Sequence, residues 1–198
     1  MNVFDEAEFH GICRRLNADA AITDVTIRYE SQSYFNRIKS VVQKDRRGEV
    51  VFCVIRPNGK IIAITCEDYP QNVYRIPTGG IGKDEDVIEA IYREVKEELG
   101  LDVEISAFAG VIRIRFEYKN EKIMFYSYIF ILKEIGGELL KDASDDEISE
   151  VMEVDLDGLD RIVRSLGGVK GKWEDWARFR HTTSKAVLNY LRNKCIQM

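Results

Sequence analysis

The chain has 198 residues, a formal net charge of −5, and 45 % apolar and 32 % charged residues. That length suits one well-packed domain with extensions, and the composition is that of an ordinary soluble globular protein. The negative balance argues against a nucleic-acid polymer as the main partner but leaves small phosphorylated ligands open. The opening residues, Met-Asn-Val-Phe-Asp-Glu-Ala-Glu, lack the basic flank of a signal peptide, and the longest apolar run, Ile123 to Leu132, is too short to cross a bilayer. Cys13, Cys53, Cys66 and Cys195 are scattered, with no Cys-x-x-Cys. Reduced, mostly buried thiols, a cytoplasmic location and no membrane partner are therefore expected.

In chain order, Phe4, Phe9, Ile12 and Leu16 mark a short helix, and Val25 to Tyr29 alternates like a strand. Val50 to Ile55 and Lys60 to Thr65 flank Pro57-Asn58-Gly59, a strong hairpin signal. The segment Val73 to Pro77 ends in Thr78-Gly79-Gly80, where glycines permit a tight turn and close approach to a ligand. A helix is expected from about Asp84 to Leu99, with Asp84, Glu85 and Asp86 in its first turn and Gly100 as its stop. Val103 to Phe108 is a strand candidate, and Val111 to Tyr118 alternates clearly. A turn at Lys119-Asn120-Glu121 leads into the run Ile123 to Leu132, read as a buried strand. After Gly136-Gly137 an acidic loop leads to a strand at Val151 to Val154, a helix near Leu156 to Leu166, and a last helix from about Trp173 to Asn193. Strands and helices are intermixed, which excludes an all-helical bundle.

The most informative stretch is residues 79 to 101. At about 100° per residue, Ile88, Ile91, Val95 and Leu99 form one stripe, which should face the core. Glu94, Glu97 and Glu98 form a second cluster, spaced i, i+3 and i+4, whose like charges destabilise a bare helix. A divalent cation reverses that penalty, and hard carboxylate oxygens suit Mg²⁺, with Mn²⁺ as the alternative.

Gly79, Glu85, Arg93, Glu94, Val95, Glu97, Glu98, Gly100 and Leu101 resemble the Nudix box, Gly-x5-Glu-x7-Arg-Glu-U-x-Glu-Glu-x-Gly-U, with U a bulky apolar residue. Every constrained position is met without a gap. A random window would match on the order of once in 10⁹, so the residues are read as one motif. The resemblance implies an α/β Nudix fold, a mixed β-sheet sandwiched between α-helices. Residues 41–166 would form the Nudix domain, 1–40 an extension packing on it, and 167–198 a C-terminal helical extension.

The resemblance also implies a hydrolase acting on a phosphoric anhydride. Its substrate would be a nucleoside diphosphate linked to another moiety: a nucleotide sugar, ADP-ribose, a dinucleoside polyphosphate or a nucleoside triphosphate. Metal ligands would be Glu94, Glu97, Glu98 and the carbonyl of Gly79, with Arg93 and Glu85 orienting the carboxylates and Gly100 ending the helix. Catalytic candidates are Arg93, Glu94, Glu97 and Glu147. The general base is a box glutamate, Glu147 or Glu150, with Glu147 preferred because it falls in the acidic loop. Arg75 and Gly80 are the candidates for contacting substrate. Tyr118 is a sign of dinucleoside polyphosphates by resemblance, which chance explains as well in a chain with 9 tyrosines. Trp173, Trp176 and Phe179 suit core packing or a second subunit of a homodimer, with base stacking as the alternative. His10 and His181 are isolated and are read as non-catalytic. The competing function is a nucleotide-sensing Nudix domain without turnover.

Overall fold

The structure, a computed structural model, describes residues 3–44, 46–141, 143 and 148–196. Seven strands form one mixed sheet: β1 (Ala21–Arg28), β2 (Arg46–Ile55), β3 (Ile61–Cys66), β4 (Thr78–Gly82), β5 (Leu101–Tyr118), β6 (Glu121–Gly137) and β7 (Ile148–Val154). The helices are α1 (Glu6–Leu16), α2 (Gln32–Lys44), α3 (Val87–Leu99), α4 (Leu156–Gly168) and α5 (Glu174–Ile196), with a 3₁₀ turn at Gly171–Trp173.

The strand order is β1-β5-β6-β2-β3-β7, with β4 also paired to β2. Strand β2 is central. It runs parallel to β6 and antiparallel to β3 and β4. Its run Val50 to Val54 is wholly apolar because both sheet faces are covered. Val50, Phe52 and Val54 join the core beneath α1 and α3, while Val51 and Cys53 join the core beneath α2, α4 and α5. The result is the expected helix–sheet–helix sandwich.

The Asn-Gly hairpin forms as expected. Gly59 takes φ 78°, a left-handed value, and Arg56 N–H donates to Lys60 O at 2.8 Å. Within the ladder, however, β2 and β3 pair only at Ile55 and Ile61, then diverge. Into the gap comes the chain before α3. Arg75 bridges Ile64, and β4 pairs with β2 through Val51–Thr78, Val50–Gly79 and Glu49–Gly80. This split sets the position of the motif.

Several boundaries differ from the sequence expectations. Val103 to Phe108 and Val111 to Tyr118 are one strand, β5, with register shifts including one at Phe108/Gly110. Gly110 there takes φ 135°, and a Cβ would lie 2.3 Å from Ala21 O on the neighbouring β1. Helix α2 has no counterpart in the sequence reading, and the boundary expected after residue 40 falls inside it. Strand β1 is an edge of the same sheet, parallel to β5. Trp176 and Phe179 are buried in the core, 4 % and 2 % exposed, as expected for core packing. Among the described residues no helix is long and apolar enough to cross a membrane.

Candidate functional site

Helix α3 begins at Val87, later than the expected Asp84, because Asp86 is its cap. The Asp86 side chain accepts from Ile88 N–H at 2.8 Å and Glu89 N–H at 3.1 Å. Glu85 therefore lies outside the helix, free to turn back toward Arg93. At the other end Gly100 takes φ 70° and its N–H donates to Lys96 O at 3.0 Å. The stripe Ile88, Ile91, Val95 and Leu99 is buried. That burial fixes the helix's rotation and sets the Glu94 carboxyl against Gly79 of β4.

Arg93 is the hub. Its Nε donates to Glu85 Oε1 at 2.7 Å and its Nη2 to Glu85 Oε2 at 2.9 Å and Gly80 O at 3.0 Å. Its Nη1 donates to Glu94 Oε1 at 2.9 Å and Glu97 Oε2 at 2.8 Å. Every N–H of the guanidinium thus has an acceptor. Glu85 Oε2 also accepts from Gly82 N–H at 2.8 Å. The Arg93 hydrogen bonds hold the Glu85 carboxyl below the usual carboxylate range. Burial pushes the Glu94 carboxyl above it, a rise that Arg93 and Arg46 partly offset.

Glu94 and Glu98 are each 8 % exposed, and the Glu97 side chain is 44 % exposed. Among the described residues, no three His, Cys, Asp or Glu side chains close into a ready-made cation cage. The i, i+3, i+4 spacing predicts a tighter cluster. Arg93 separates Glu94 from Glu97 because its guanidinium supplies the neutralising charge. It engages one oxygen of each, so each keeps a second oxygen that Arg93 does not hold.

The glycines of β4 serve close approach rather than a turn. Gly79 and Gly80 are ladder residues opposite Val50 and Glu49. A Cβ on Gly79 would lie 2.2 Å from the Glu94 carboxyl carbon, and one on Gly80 would lie 2.4 Å from Arg46 Nε. The backbone is thus flanked by an anion on the α3 side and a cation near Gly80. The donor set fits a hard divalent cation. It consists of carboxylates only, Glu94 is partly desolvated with its proton affinity raised, and a glycine backbone lies against it.

Arg75 is placed differently from the phosphate contact expected of it. It is 6 % exposed, with Nε donating to Tyr69 Oη at 2.9 Å and Nη1 donating to Ile76 O at 3.0 Å and Thr78 Oγ1 at 3.2 Å. Its bridge to Ile64 in the split hairpin draws it into the core. Arg46 is the exposed guanidinium beside the site. Glu150, expected in a loop, is in β7 opposite Thr65, and its charge adds to the burial that pushes the Tyr74 hydroxyl up. Glu147 lies outside the described residues.

A buried polar group on the α5 side escaped the sequence reading. Glu49, 4 % exposed, accepts from Ser127 Oγ at 2.8 Å and Arg180 Nη1 at 2.8 Å. Glu49 sits on the same β2 face as Val51 and Cys53, so an acid at a core-facing strand position was the available signal. Its partner, on a helix 131 residues later, had none.

The sequence model of the NUDIX domain matches residues 45–174. The chain belongs to the Nudix family. An ADP-ribose pyrophosphatase from Methanocaldococcus jannaschii is 31 % identical over 110 residues, 55 % of this chain and 62 % of that protein. An RNA pyrophosphohydrolase from a Marinomonas species is 43 % identical over 54 residues, 27 % of this chain and 34 % of that one. The chain thus spans less than two thirds of either relative's length. Among solved structures, a C. elegans Ap4A hydrolase aligns over 76 % of this chain and 98 % of its own, with 14 % identity and a TM-score of 0.49. The Nudix match begins after α1, β1 and α2, and ends at the start of α5.

Proposed function

We propose that this chain is a metal-dependent pyrophosphohydrolase that cleaves a nucleoside diphosphate linked to another moiety and releases a nucleoside phosphate. The observation that carries the proposal is the intact Arg93 hub, which fixes Glu85, Glu94 and Glu97 against the β4 glycines. A Mg²⁺ ion, or Mn²⁺, would be held by Glu94, Glu97, Glu98 and the Gly79 carbonyl. When bound, it neutralises phosphate oxygens and lowers the pKa of a coordinated water.

The chain's own residues do the rest. Arg93 and Glu85 keep the carboxylates from splaying apart under their mutual repulsion. The Gly79-Gly80 backbone gives a phosphate close access, and Arg46 offers it a guanidinium. Glu147 is the proposed base, because Glu150 lies in the β3–β7 ladder rather than in a loop. Glu147→Gln should cut kcat by about 10²-fold with KM unchanged, and Glu150→Gln should change it little. The reverse result transfers the role to Glu150. Burial pushes the Cys53 thiol up to about 12, and an inert, buried thiol of this kind is in keeping with the cytoplasmic setting proposed for the chain.

The test is a hydrolysis screen over nucleoside triphosphates, nucleotide sugars, ADP-ribose and dinucleoside polyphosphates, with and without Mg²⁺. ADP-ribose is a first candidate, given the archaeal relative's name. Binding without turnover across the panel would replace the hydrolase with a sensing domain.

A further inference from the structure

The N-terminal helix α1 lies before the region that matches the family, yet it reaches the site. Phe9 and Ile12 anchor it in the core shared with α3, and Phe9 packs 5.8 Å from Phe108. Asp5 caps it by accepting from Glu8 N–H at 2.9 Å. This places the Glu8 carboxylate, with a side chain 20 % exposed, against Arg47 at the start of β2.

Arg47 sits where the β2–β4 register shifts, between Arg46 and Gly48. A bulge of this kind re-aims one side chain. Arg47 Nη1 donates to Glu8 Oε2 at 2.8 Å and Nη2 to Glu8 Oε1 at 2.6 Å, a bidentate fork. Nη2 also donates to the backbone carbonyl of Glu85 at 2.7 Å. Tyr128, 1 % exposed, donates its hydroxyl to Glu8 Oε2 at 2.8 Å. Glu8 is therefore held by a buried tyrosine and an arginine, and that arginine holds the backbone of Glu85.

Two arginines thus converge on Glu85, and they divide it. Arg93 takes the carboxylate, and Arg47 takes the carbonyl. The Glu8 carboxylate is what satisfies the Arg47 fork. Without it, that guanidinium still lies against Glu85, whose carboxylate charge already feels Arg47.

We infer that Glu8 is a positioning residue for the cation site, reserving the Glu85 carboxylate for Arg93 by occupying Arg47. The order of contacts is Glu8, Arg47, Glu85, Arg93, then Glu94 and Glu97. The N-terminal extension thereby becomes part of the machinery that sets carboxylate geometry. The inference rests on the reading of Glu94, Glu97 and Glu98 as metal ligands.

The test compares the full-length wild type, Glu8→Gln, and the double variant Glu8→Gln with Arg47→Gln. Mn²⁺ affinity is measured by titration calorimetry, with thermal melts run alongside. Glu8→Gln should weaken Mn²⁺ binding about 3- to 10-fold, less than the 10- to 100-fold typical of a residue that touches a ligand directly. The double variant removes the competing guanidinium and should return to within about twofold of wild type. A role limited to docking α1 gives the opposite order, with the double variant as weak as the single or weaker. Unchanged Mn²⁺ affinity in Glu8→Gln overturns the inference, whatever the melt shows. A wild type without Mn²⁺ affinity overturns the metal-site reading itself. A metal-free readout stands beside these: the Arg93 Nε–H signal in ¹⁵N spectra should shift in Glu8→Gln and recover in the double variant.

Discussion

Arg93→Ala is the sharpest perturbation of the site. It removes the donors that bind Glu85, Glu94, Glu97 and the Gly80 carbonyl together. The Arg93 side chain is 38 % exposed, so each ion pair is discounted toward the surface value. At about 0.5–1 kcal/mol for each carboxylate partner, the metal-free protein should lose about 2 kcal/mol. Misaligned ligands should also weaken Mg²⁺ binding 10- to 100-fold, or about 1.4–2.7 kcal/mol.

The pH dependence has a definite sign. Glu85 is held low by Arg93, so its stabilisation is present at neutral pH and fades as pH falls through its folded pKa. Glu94 is held high by burial, so its charge costs stability at neutral pH, and that cost vanishes on protonation. Losing Arg93 hurts both groups in their charged forms. The stability gap between wild type and Arg93→Ala should therefore be widest near neutrality and close as pH falls below the carboxylate range. Urea unfolding at several pH values, with a Mg²⁺ titration of the rate, measures both effects. An unchanged Mg²⁺ midpoint and rate, or a gap independent of pH, would refute the hub.

Gly79→Ala forces a Cβ to within 2.2 Å of the Glu94 carboxyl carbon, so activity should be lost at a stability cost of about 1–3 kcal/mol. Gly80→Ala meets the exposed Arg46 side chain, which can swing away, so its rate loss should be milder; equal steady-state rates for the two variants would show that Glu94 is not pinned by Gly79. Glu98→Gln should lower the rate about 10²-fold or more while metal-free stability holds or rises, because a like charge is removed. Wild-type turnover at saturating Mg²⁺ would remove Glu98 from the ligand set. Arg180→Met leaves Glu49 buried without its counter-charge and should cost about 3–5 kcal/mol in denaturant unfolding. Adding Glu49→Gln should recover most of that loss, and a double variant no more stable than the single would rule out the pair.

The sequence by itself determined the local part of the site. Helical periodicity turned Ile88, Ile91, Val95 and Leu99 inward, and it put Glu94, Glu97 and Glu98 on one side of the helix, where Arg93 stands between Glu94 and Glu97. Gly100 marked the helix end, because glycine takes the left-handed conformation found there at little cost. The Asn-Gly hairpin followed from the turn it requires. These features depend on neighbours within a few positions, which a linear pattern records.

Contacts between distant segments were settled only by the tertiary structure. The split of β2 from β3, which admits β4, decided that the glycines serve close approach and that Arg75 goes into the core. Glu49 and Arg180, or Glu8 and Arg47, are ordinary charges in a list of residues. The sheet brings them within hydrogen-bond reach, and partial desolvation there makes each charge depend on its partner. A charged residue reads as solvated in sequence because most are. Its partner comes from packing, which one-dimensional spacing does not encode across 39 or 131 positions.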